Sequence, residues 1–194
     1  FALVLTLIGP APADTPKMLQ IKSGNQIVAM GDSITEGGGY LRDIDAVLAA
    51  HYANLNLPKV VNAGVSGQKA EDMVARFDRD VVARKPAFVT ISVGINDVWH
   101  RVGNPPDEQV LKAYIANVTK MVEQAQAAGI KVILIAPTII EENPESEGNK
   151  RLAAYVNAEK QIAKEKKCQF VDLHGMFLTA LKKKPATERT TSAA

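Results

Sequence analysis

One serine stands where it could do chemistry. Ser33 follows a short apolar run in the segment VAMGDSITEGGGY (28–40). A serine hydroxyl becomes a good nucleophile when a neighbouring base removes its proton. A sharp turn from a strand into a helix would expose the hydroxyl and aim backbone N–H groups at a developing oxyanion. Alternatively, the segment is only a polar tight turn.

A phosphate-binding loop is the other chemistry that this glycine-rich segment suggests. The segment lacks the lysine of G-x-x-x-x-G-K-[ST] and the glycine spacing of G-x-G-x-x-G. Asp32 and Glu36 would also repel a phosphate. These features disfavour a nucleotide site.

Two further polar segments follow apolar runs. NAGVSGQ (62–68) contains Gly64 and Gly67, and VGINDVW (93–99) contains Asn96. Taken alone, the first indicates only a turn, and the second only an Asx turn. An asparagine after a central strand can also donate its side-chain N–H to a developing negative charge.

Alternating strand and helix patterns would place these segments. Apolar runs predict strands at 27–32, 59–63, 87–93, 131–136 and 169–172, and helical periodicity predicts helices at 40–55, 70–85, 107–129, 149–167 and roughly 175–184. The alternation predicts a three-layer α/β fold with a five-stranded parallel sheet in the flavodoxin-like order 2-1-3-4-5. The loops after the strands should converge on one rim, where such sheets bind ligands.

Length and composition favour a single ordinary domain. The chain has 194 residues, a net charge of +2 and one cysteine, Cys168. The near-neutral charge gives no indication of a nucleic-acid or membrane-surface partner. A single cysteine excludes an internal disulfide, and no cluster of side chains has metal-ligand spacing. We therefore expect no metal site.

The N-terminal run FALVLTLIGPAPAD resembles the apolar region and cleavage site of a secretory signal. We expect residues 1–13 to be the remnant of such a signal and 14–194 to be one domain, secreted or periplasmic. The alternative is a buried N-terminal strand. The run is too short to span a membrane.

Together the three polar segments resemble the SGNH/GDSL hydrolase superfamily. The matching blocks are Gly31-Asp32-Ser33-Ile34, then Asn62 to Gly67, then Gly94-Ile95-Asn96-Asp97, and the likeness spans roughly residues 26–173. The resemblance implies that Ser33 is the nucleophile, and that the backbone N–H groups of Ser33 and Gly67 and the side-chain amide of Asn96 form the oxyanion hole. It implies that Asp97 braces its loop, and that esters or thioesters, often of acylated sugars or lipids, are hydrolysed without a cofactor.

The family's base lies in a D-x-x-H block before a C-terminal helix, and the C-terminal part of this sequence contains no such block. Its nearest counterpart is Asp172-Leu173-His174, with one intervening residue. In an extended stretch that spacing points both side chains to one face, so His174 is an alternative base. We expect instead that the sequence ends before the family's block and is C-terminally incomplete. On the loop that follows the third strand (the third loop), His100 could line the substrate cleft or be plainly exposed. Trp99 could stack on a sugar or acyl group or simply cover the core.

The leading hypothesis is a serine esterase that hydrolyses an O-acyl ester of a carbohydrate or small lipid through an acyl-enzyme intermediate. The alternative is a non-catalytic binding domain on the same scaffold, if the base is truly absent. A flavodoxin-like nucleotide-binding domain is a weaker third hypothesis. The sequence gives no indication of the oligomeric state.

Overall fold

Five parallel strands form one sheet in the order β2-β1-β3-β4-β5. The structure is a computed structural model and describes residues 20–188. The strands are β1 (Ile27–Gly31), β2 (Val61–Gly64), β3 (Phe88–Ser92), β4 (Lys131–Ile135) and β5 (Gln169–Val171). The predicted fold class and strand order are confirmed.

Seven α-helices surround the sheet in the described part of the chain: α1 (Ser33–Gly37), α2 (Gly39–His51), α3 (Ala70–Asp80), α4 (Ile95–Trp99), α5 (Glu108–Ala127), α6 (Glu147–Lys166) and α7 (Leu173–Lys183). Short 3₁₀ turns occupy Ala53–Leu55, Val82–Arg84 and Ala186–Glu188. The sequence did not predict α1 and α4, because helices of five residues are too short to show a helical period.

The main core lies between the sheet and helices α3, α5 and α6. The connections from β2 to β3, β3 to β4 and β4 to β5 all run in one direction across the sheet, so the right-handed crossover rule places these three helices on the same face. The connection from β1 to β2 runs the other way and places α2 on the opposite face. The core side chains include Val28, Met30, Val89, Ile91, Val132, Leu134, Phe77, Val118, Met121, Val122 and Leu152.

This topology brings the ends of β1, β2 and β3 together. The order puts β1 between β2 and β3, with Gly31 beside Gly64 and Met30 beside Ile91. The three polar segments found in the sequence therefore leave the sheet at one rim. The expected secretory remnant at residues 1–13 lies outside the described residues. Within residues 20–188, none of the helices combines the length and apolar character that a membrane crossing requires.

Candidate active site

Ser33 is the first residue of α1, directly after the end of β1, and its side chain is exposed. Asp32 is the N-cap of this helix, and its Oδ1 accepts a hydrogen bond of 3.0 Å from the Ile34 N–H. Burial raises the pKa of the Asp32 carboxyl. As the first residue of the helix, Ser33 has a backbone N–H with no acceptor within α1. The Ser33 hydroxyl and a backbone N–H that is not bonded within α1 thus stand side by side at the rim.

Two glycines allow α1 to lie against the ends of β1 and β2. A Cβ atom on Gly31 would be 2.0 Å from the Thr35 hydroxyl oxygen, and one on Gly64 would be 2.1 Å from the Glu36 backbone nitrogen. Neither separation is sterically possible. The glycines of the first two sequence blocks therefore provide the close approach that positions Ser33.

Asn62 and Glu36 connect α1 to the end of β2 and to the segment 65–69 that follows it, here called the second loop. The Asn62 side-chain amide donates to the carbonyls of Thr35 at 2.8 Å and Glu36 at 3.1 Å, and its oxygen accepts from the Gly64 N–H at 2.8 Å. The Glu36 carboxylate accepts from the Ser66 N–H at 3.1 Å. The sequence showed Asn62 only as part of a block, and the structure assigns it this positioning role.

A buried arginine joins the ends of β1 and β2. The Arg76 guanidinium, on α3, donates to the carbonyls of Ala63 at 2.9 Å and Gly31 at 3.2 Å, and to the Gln68 side chain at 2.5 Å. It also pairs with Asp80 at 2.9 Å. Arg79 and then Arg76 hold the pKa of Asp80 at about 2. This arginine therefore fixes the turn that carries Ser33 relative to the second loop.

The third loop meets the second through Asn96. This side chain is buried, and its amide donates a hydrogen bond of 3.0 Å to the carbonyl of Gln68, the residue after Gly67. Gly67 has a φ of 75°, in the left-handed region that glycine adopts without strain. The start of the second loop is also joined to β1, because the Val65 N–H donates to the Gly31 carbonyl at 3.0 Å. All three sequence blocks are thus linked, while the convergence of their N–H groups on one oxyanion stays a prediction.

Asp97 joins α4 to α3. Both oxygens of its buried carboxyl lie 3.3 Å from the Ala70 N–H, at the first turn of α3. Burial raises the pKa of Asp97 to about 6, although the hydrogen bond from Ala70 and the charge of Arg101 oppose this. These contacts agree with the bracing role that the sequence resemblance implied.

A buried tyrosine and glutamate lie beneath the third loop. The Tyr114 hydroxyl is 2.5 Å from Glu159 Oε1 and 3.3 Å from the carbonyl of Val93, which precedes Gly94. Burial raises the pKa of Glu159 well above its ordinary value. The Tyr114 hydroxyl donates to Glu159 Oε1 and faces the Val93 carbonyl, so it links α5 and α6 to the strand end that precedes the Asn96 turn.

None of the described histidines is hydrogen-bonded to Ser33. The His174 Nδ1 atom lies 2.6 Å from the Thr138 carbonyl, and His174 is in the first turn of α7. Asp172 is the N-cap of that helix and accepts from the Gly175 N–H at 2.8 Å. The stretch is therefore helical rather than extended, and Asp172 caps the helix instead of orienting an imidazole.

A D-x-x-H spacing does occur earlier, at Asp97–His100, and the sequence reasoning overlooked it. The Asp97 carboxyl is already bonded to Ala70. Trp99 and His100 are both exposed, with ring centroids 6.3 Å apart. Trp99 therefore does not serve as a buried core residue, and a place for either side chain in the substrate cleft stays a prediction. Within residues 20–188, no group of three histidine, cysteine or acidic residues could hold a metal ion.

Comparisons with known proteins agree with this arrangement. Residues 29–190 match the GDSL-like lipase/acylhydrolase family. An acetylxylan esterase of Geobacillus stearothermophilus is 34% identical over 182 residues, which cover 84% of this chain and 83% of the relative. The chain belongs to the GDSL-like lipase/acylhydrolase family. As a member of this family it is a carboxylic ester hydrolase.

Solved structures give the same result. The crystal structure of the Geobacillus acetylxylan esterase superposes with a TM-score of 0.79 at 31% identity, and the alignment covers 91% of this GDSL-family chain and 90% of that one. An alpha/beta hydrolase from the metagenome of Lake Arreo in Spain gives 0.77 at 28% identity, covering 87% and 85%. Alanine variants of the Geobacillus esterase at a serine, an aspartate and a histidine are described as catalytic mutants, and that aspartate lies three positions before the histidine.

Proposed function

We propose that this protein is a serine esterase that removes an O-acyl group from a carbohydrate through an acyl-enzyme intermediate. The observation that carries the proposal is the exposed Ser33 at the first position of α1, tied by Asn62 and Arg76 to the second loop and, through Gln68, to Asn96. The likeness to an acetylxylan esterase at 34% identity supports an acetylated sugar as substrate.

In the proposed mechanism, Ser33 Oγ attacks the acyl carbonyl carbon while a base takes the hydroxyl proton. The carbonyl oxygen becomes an oxyanion, which the N–H groups of Ser33 and Gly67 and the amide of Asn96 stabilise. Collapse of this intermediate breaks the bond to the sugar oxygen, and the sugar leaves as an alcohol with the proton from the base. Water then attacks the acyl-serine in the same way and releases the carboxylic acid.

The base is not assigned among the described histidines. His174 is committed to the Thr138 carbonyl, and His100 follows a helix whose Asp97 is committed to Ala70. The proposal accordingly concerns the nucleophile, the oxyanion hole and the class of substrate.

We place the activity outside the cytoplasm, in a secreted or periplasmic setting. An uncharacterised lipoprotein of Bacillus subtilis is 32% identical over 117 residues, which cover 56% of this chain and 46% of that relative. A lipoprotein relative is compatible with a surface or extracellular location. Fractionation of the native host and detection with an antibody would test the placement.

The decisive experiment measures hydrolysis of p-nitrophenyl acetate and acetylated xylan by the native full-length protein. Ser33→Ala should lower kcat by at least about 10³-fold, because the nucleophile is lost. Ser66→Ala is the matched control, since Ser66 is an exposed serine of the adjacent loop, and it should keep most of the activity. Equal activity of Ser33→Ala and the wild type would contradict the proposal. Sugar binding without any hydrolysis by the wild type would support the non-catalytic alternative.

A further inference from the structure

A cleft opens behind the third loop. It lies between the C-terminal end of α4, the segment 101–107 and the first turns of α5 and α6, and its volume is about 730 Å³. Ser33 is not among its lining residues. A cleft of this volume is within the usual range for small-molecule sites.

The cleft is next to the candidate active site, at the same rim of the sheet. Helices α5 and α6 begin where β3 and β4 end, so their first turns lie at the carboxyl edge. Asn96 contacts the second loop through Gln68, and the next residue, Asp97, lines the cleft. Asn96 and Asp97 both belong to the short helix α4, and a helix with its side chains is about 10 Å wide.

The cleft combines apolar walls with charges of both signs. Pro105, Pro106, Leu111 and Tyr155 contribute apolar surface, and the Tyr155 ring is held edge-on against Tyr114 with 4.7 Å between centroids. The lining includes the five acidic residues Asp97, Asp107, Glu108, Glu145 and Glu147, and the three basic residues Arg101, Lys150 and Arg151. The acidic excess disfavours a phosphate or another anion.

A neutral polyhydroxylated ligand suits this lining. Each sugar hydroxyl can donate to a carboxylate and accept from a guanidinium or ammonium group, and the C–H faces of a sugar ring can pack on proline and tyrosine carbon. A long acyl chain would instead leave the charged groups desolvated and unpaired. The chemistry therefore favours a carbohydrate over a lipid.

The cleft is held in shape by Arg151. Its guanidinium donates to the Arg101 carbonyl at 2.8 Å and also bonds the carbonyl of Asn104 and the Glu147 carboxylate. These bonds fix the segment 101–104 against α6. A pre-formed site loses less conformational entropy when a ligand binds.

We propose that this cleft is a distal subsite for the sugar chain of an acylated oligosaccharide whose ester group lies at Ser33. The inference rests on the proposed function and deepens it by assigning a place where the sugar chain of the substrate binds. Because one sugar residue is shorter than the width of α4 with its side chains, only a chain of several residues reaches both places.

The test fills the cleft without removing any of its hydrogen bonds. Ala154 and Ala153 are both exposed on α6, and of the two only Ala154 lines the cleft. Ala154→Trp should raise KM for acetylated xylohexaose at least tenfold and leave kcat/KM for p-nitrophenyl acetate unchanged. Ala153→Trp should change neither. An equal KM for both tryptophan variants, or an equal loss on both substrates, would overturn the subsite.

A binding measurement separates this inference from the esterase proposal. Unacetylated xylohexaose is titrated into the full-length protein by isothermal calorimetry, which needs no catalysis. The wild type and Ala153→Trp should bind it, and Ala154→Trp should bind at least tenfold more weakly. Absence of binding by the wild type overturns the subsite even if p-nitrophenyl acetate is hydrolysed. Binding without hydrolysis supports the subsite and contradicts only the proposed function.

Glu108→Ala tests the same subsite if Ala154→Trp does not fold. The carboxylate of Glu108 lines the cleft and lies 3.9 Å from the Lys112 ammonium, with both side chains largely exposed. Glu108→Ala should weaken xylohexaose binding severalfold, whereas Lys112→Ala, which removes the partner outside the lining, should not. Equal affinity of these two variants would count against the proposal.

Discussion

The side-chain amide of Asn96 donates a 3.0 Å hydrogen bond to the backbone carbonyl of Gln68. This bond joins the loop after β3 to the loop after β2, and Gln68 in turn receives the Arg76 side chain. A buried amide with one N–H bonded is oriented, and its second N–H remains as a donor. Asn96 is therefore held in place before any substrate binds, as an oxyanion donor must be.

Replacing Asn96 tests this donor. On the active full-length protein, Asn96→Ala should lower kcat by roughly 10²–10³-fold with a smaller change in KM, because the donor acts mainly on the transition state. Steady-state kinetics with p-nitrophenyl acetate measure the change. Asn117→Ala, a substitution on α5 away from the three sequence blocks, is the control. An unchanged kcat for Asn96→Ala would show that Asn96 is not a donor.

Gly64 should tolerate no side chain. In Gly64→Ala the new Cβ would meet the Glu36 backbone nitrogen, so α1 must shift and carry Ser33 with it. We expect a loss of about 1–3 kcal/mol in the free energy of unfolding and a fall in kcat. Gly37→Ala is the matched control, because a Cβ there has open space, and it should be neutral or stabilising by up to about 1 kcal/mol. Equal urea midpoints for the two variants would contradict the steric argument.

Replacing Arg76 or Arg79, the two arginines of α3, should change the free energy of unfolding by very different amounts. The Arg76 side chain is 8% exposed and serves two strand ends, whereas that of Arg79 is 75% exposed. Arg76→Ala should lower the free energy of unfolding by about 3–5 kcal/mol, because it leaves buried carbonyls and Asp80 without their partner. Arg79 has the larger influence on the pKa of Asp80. Because the Arg79 side chain is exposed, water screens the Arg79–Asp80 ion pair, which therefore contributes little to stability.

Arg79→Ala is accordingly the control for Arg76→Ala, and it should cost less than about 1 kcal/mol. Denaturant unfolding of both variants under identical conditions gives the comparison. A loss for Arg79→Ala as large as that for Arg76→Ala would mean that the carbonyl contacts of Arg76 contribute little.

The free energy of unfolding should fall as the pH rises, because the pKa of Asp97 is higher in the folded protein than in the unfolded chain. Its pKa is about 6 in the folded protein against an ordinary value of 3.8. The folded state thus holds the proton more tightly, and the associated stability is present below pH 3.8 and lost as the pH rises through 6. The difference corresponds to a stability on the order of 3 kcal/mol. Asp97→Asn should lack this component, so its unfolding free energy should rise relative to wild type across that range. Parallel curves for the two proteins from pH 4 to 7 would refute the assignment.

Glu159 should likewise lower the free energy of unfolding as the pH rises, over a wider pH range than Asp97 does. Because burial raises its pKa well above 4.5, wild-type stability declines by up to about 1.4 kcal/mol per pH unit above that value until the folded carboxyl ionises. Glu159→Gln keeps an acceptor for the Tyr114 hydroxyl without an ionisable proton, and it should gain stability relative to wild type as the pH rises. Glu165→Gln, at an exposed position of α6, should show no such trend. A Glu159→Gln protein that loses stability relative to wild type at pH 7 would indicate an ionised glutamate.

The sequence alone was sufficient for the five strands, their parallel order and the three blocks that carry Ser33, Gly67 and Asn96. Apolar periodicity depends on near neighbours, and the right-handed crossover rule limits how alternating elements can be arranged. For this reason the sheet and the rim that carries the site could be predicted without coordinates.

The local geometry of the site needed the tertiary structure. Asp172 to His174 could be extended or helical by sequence, and the structure makes Asp172 a helix cap and sends His174 to the Thr138 carbonyl. The sequence likewise did not predict the short helices α1 and α4. Short elements depend on capping and on contacts with distant strands more than on their own periodicity.

The supporting contacts were least visible in the sequence. Arg76 and Arg79 stand in the same charged helix, and Arg76 meets the Gly31 carbonyl across 45 positions of sequence. Likewise, Tyr114 and Glu159 lie on different helices, 45 positions apart. Which charged side chain becomes buried is decided by the backbone carbonyls and polar partners that packing brings to it. That information exists only after the strands and helices have come together.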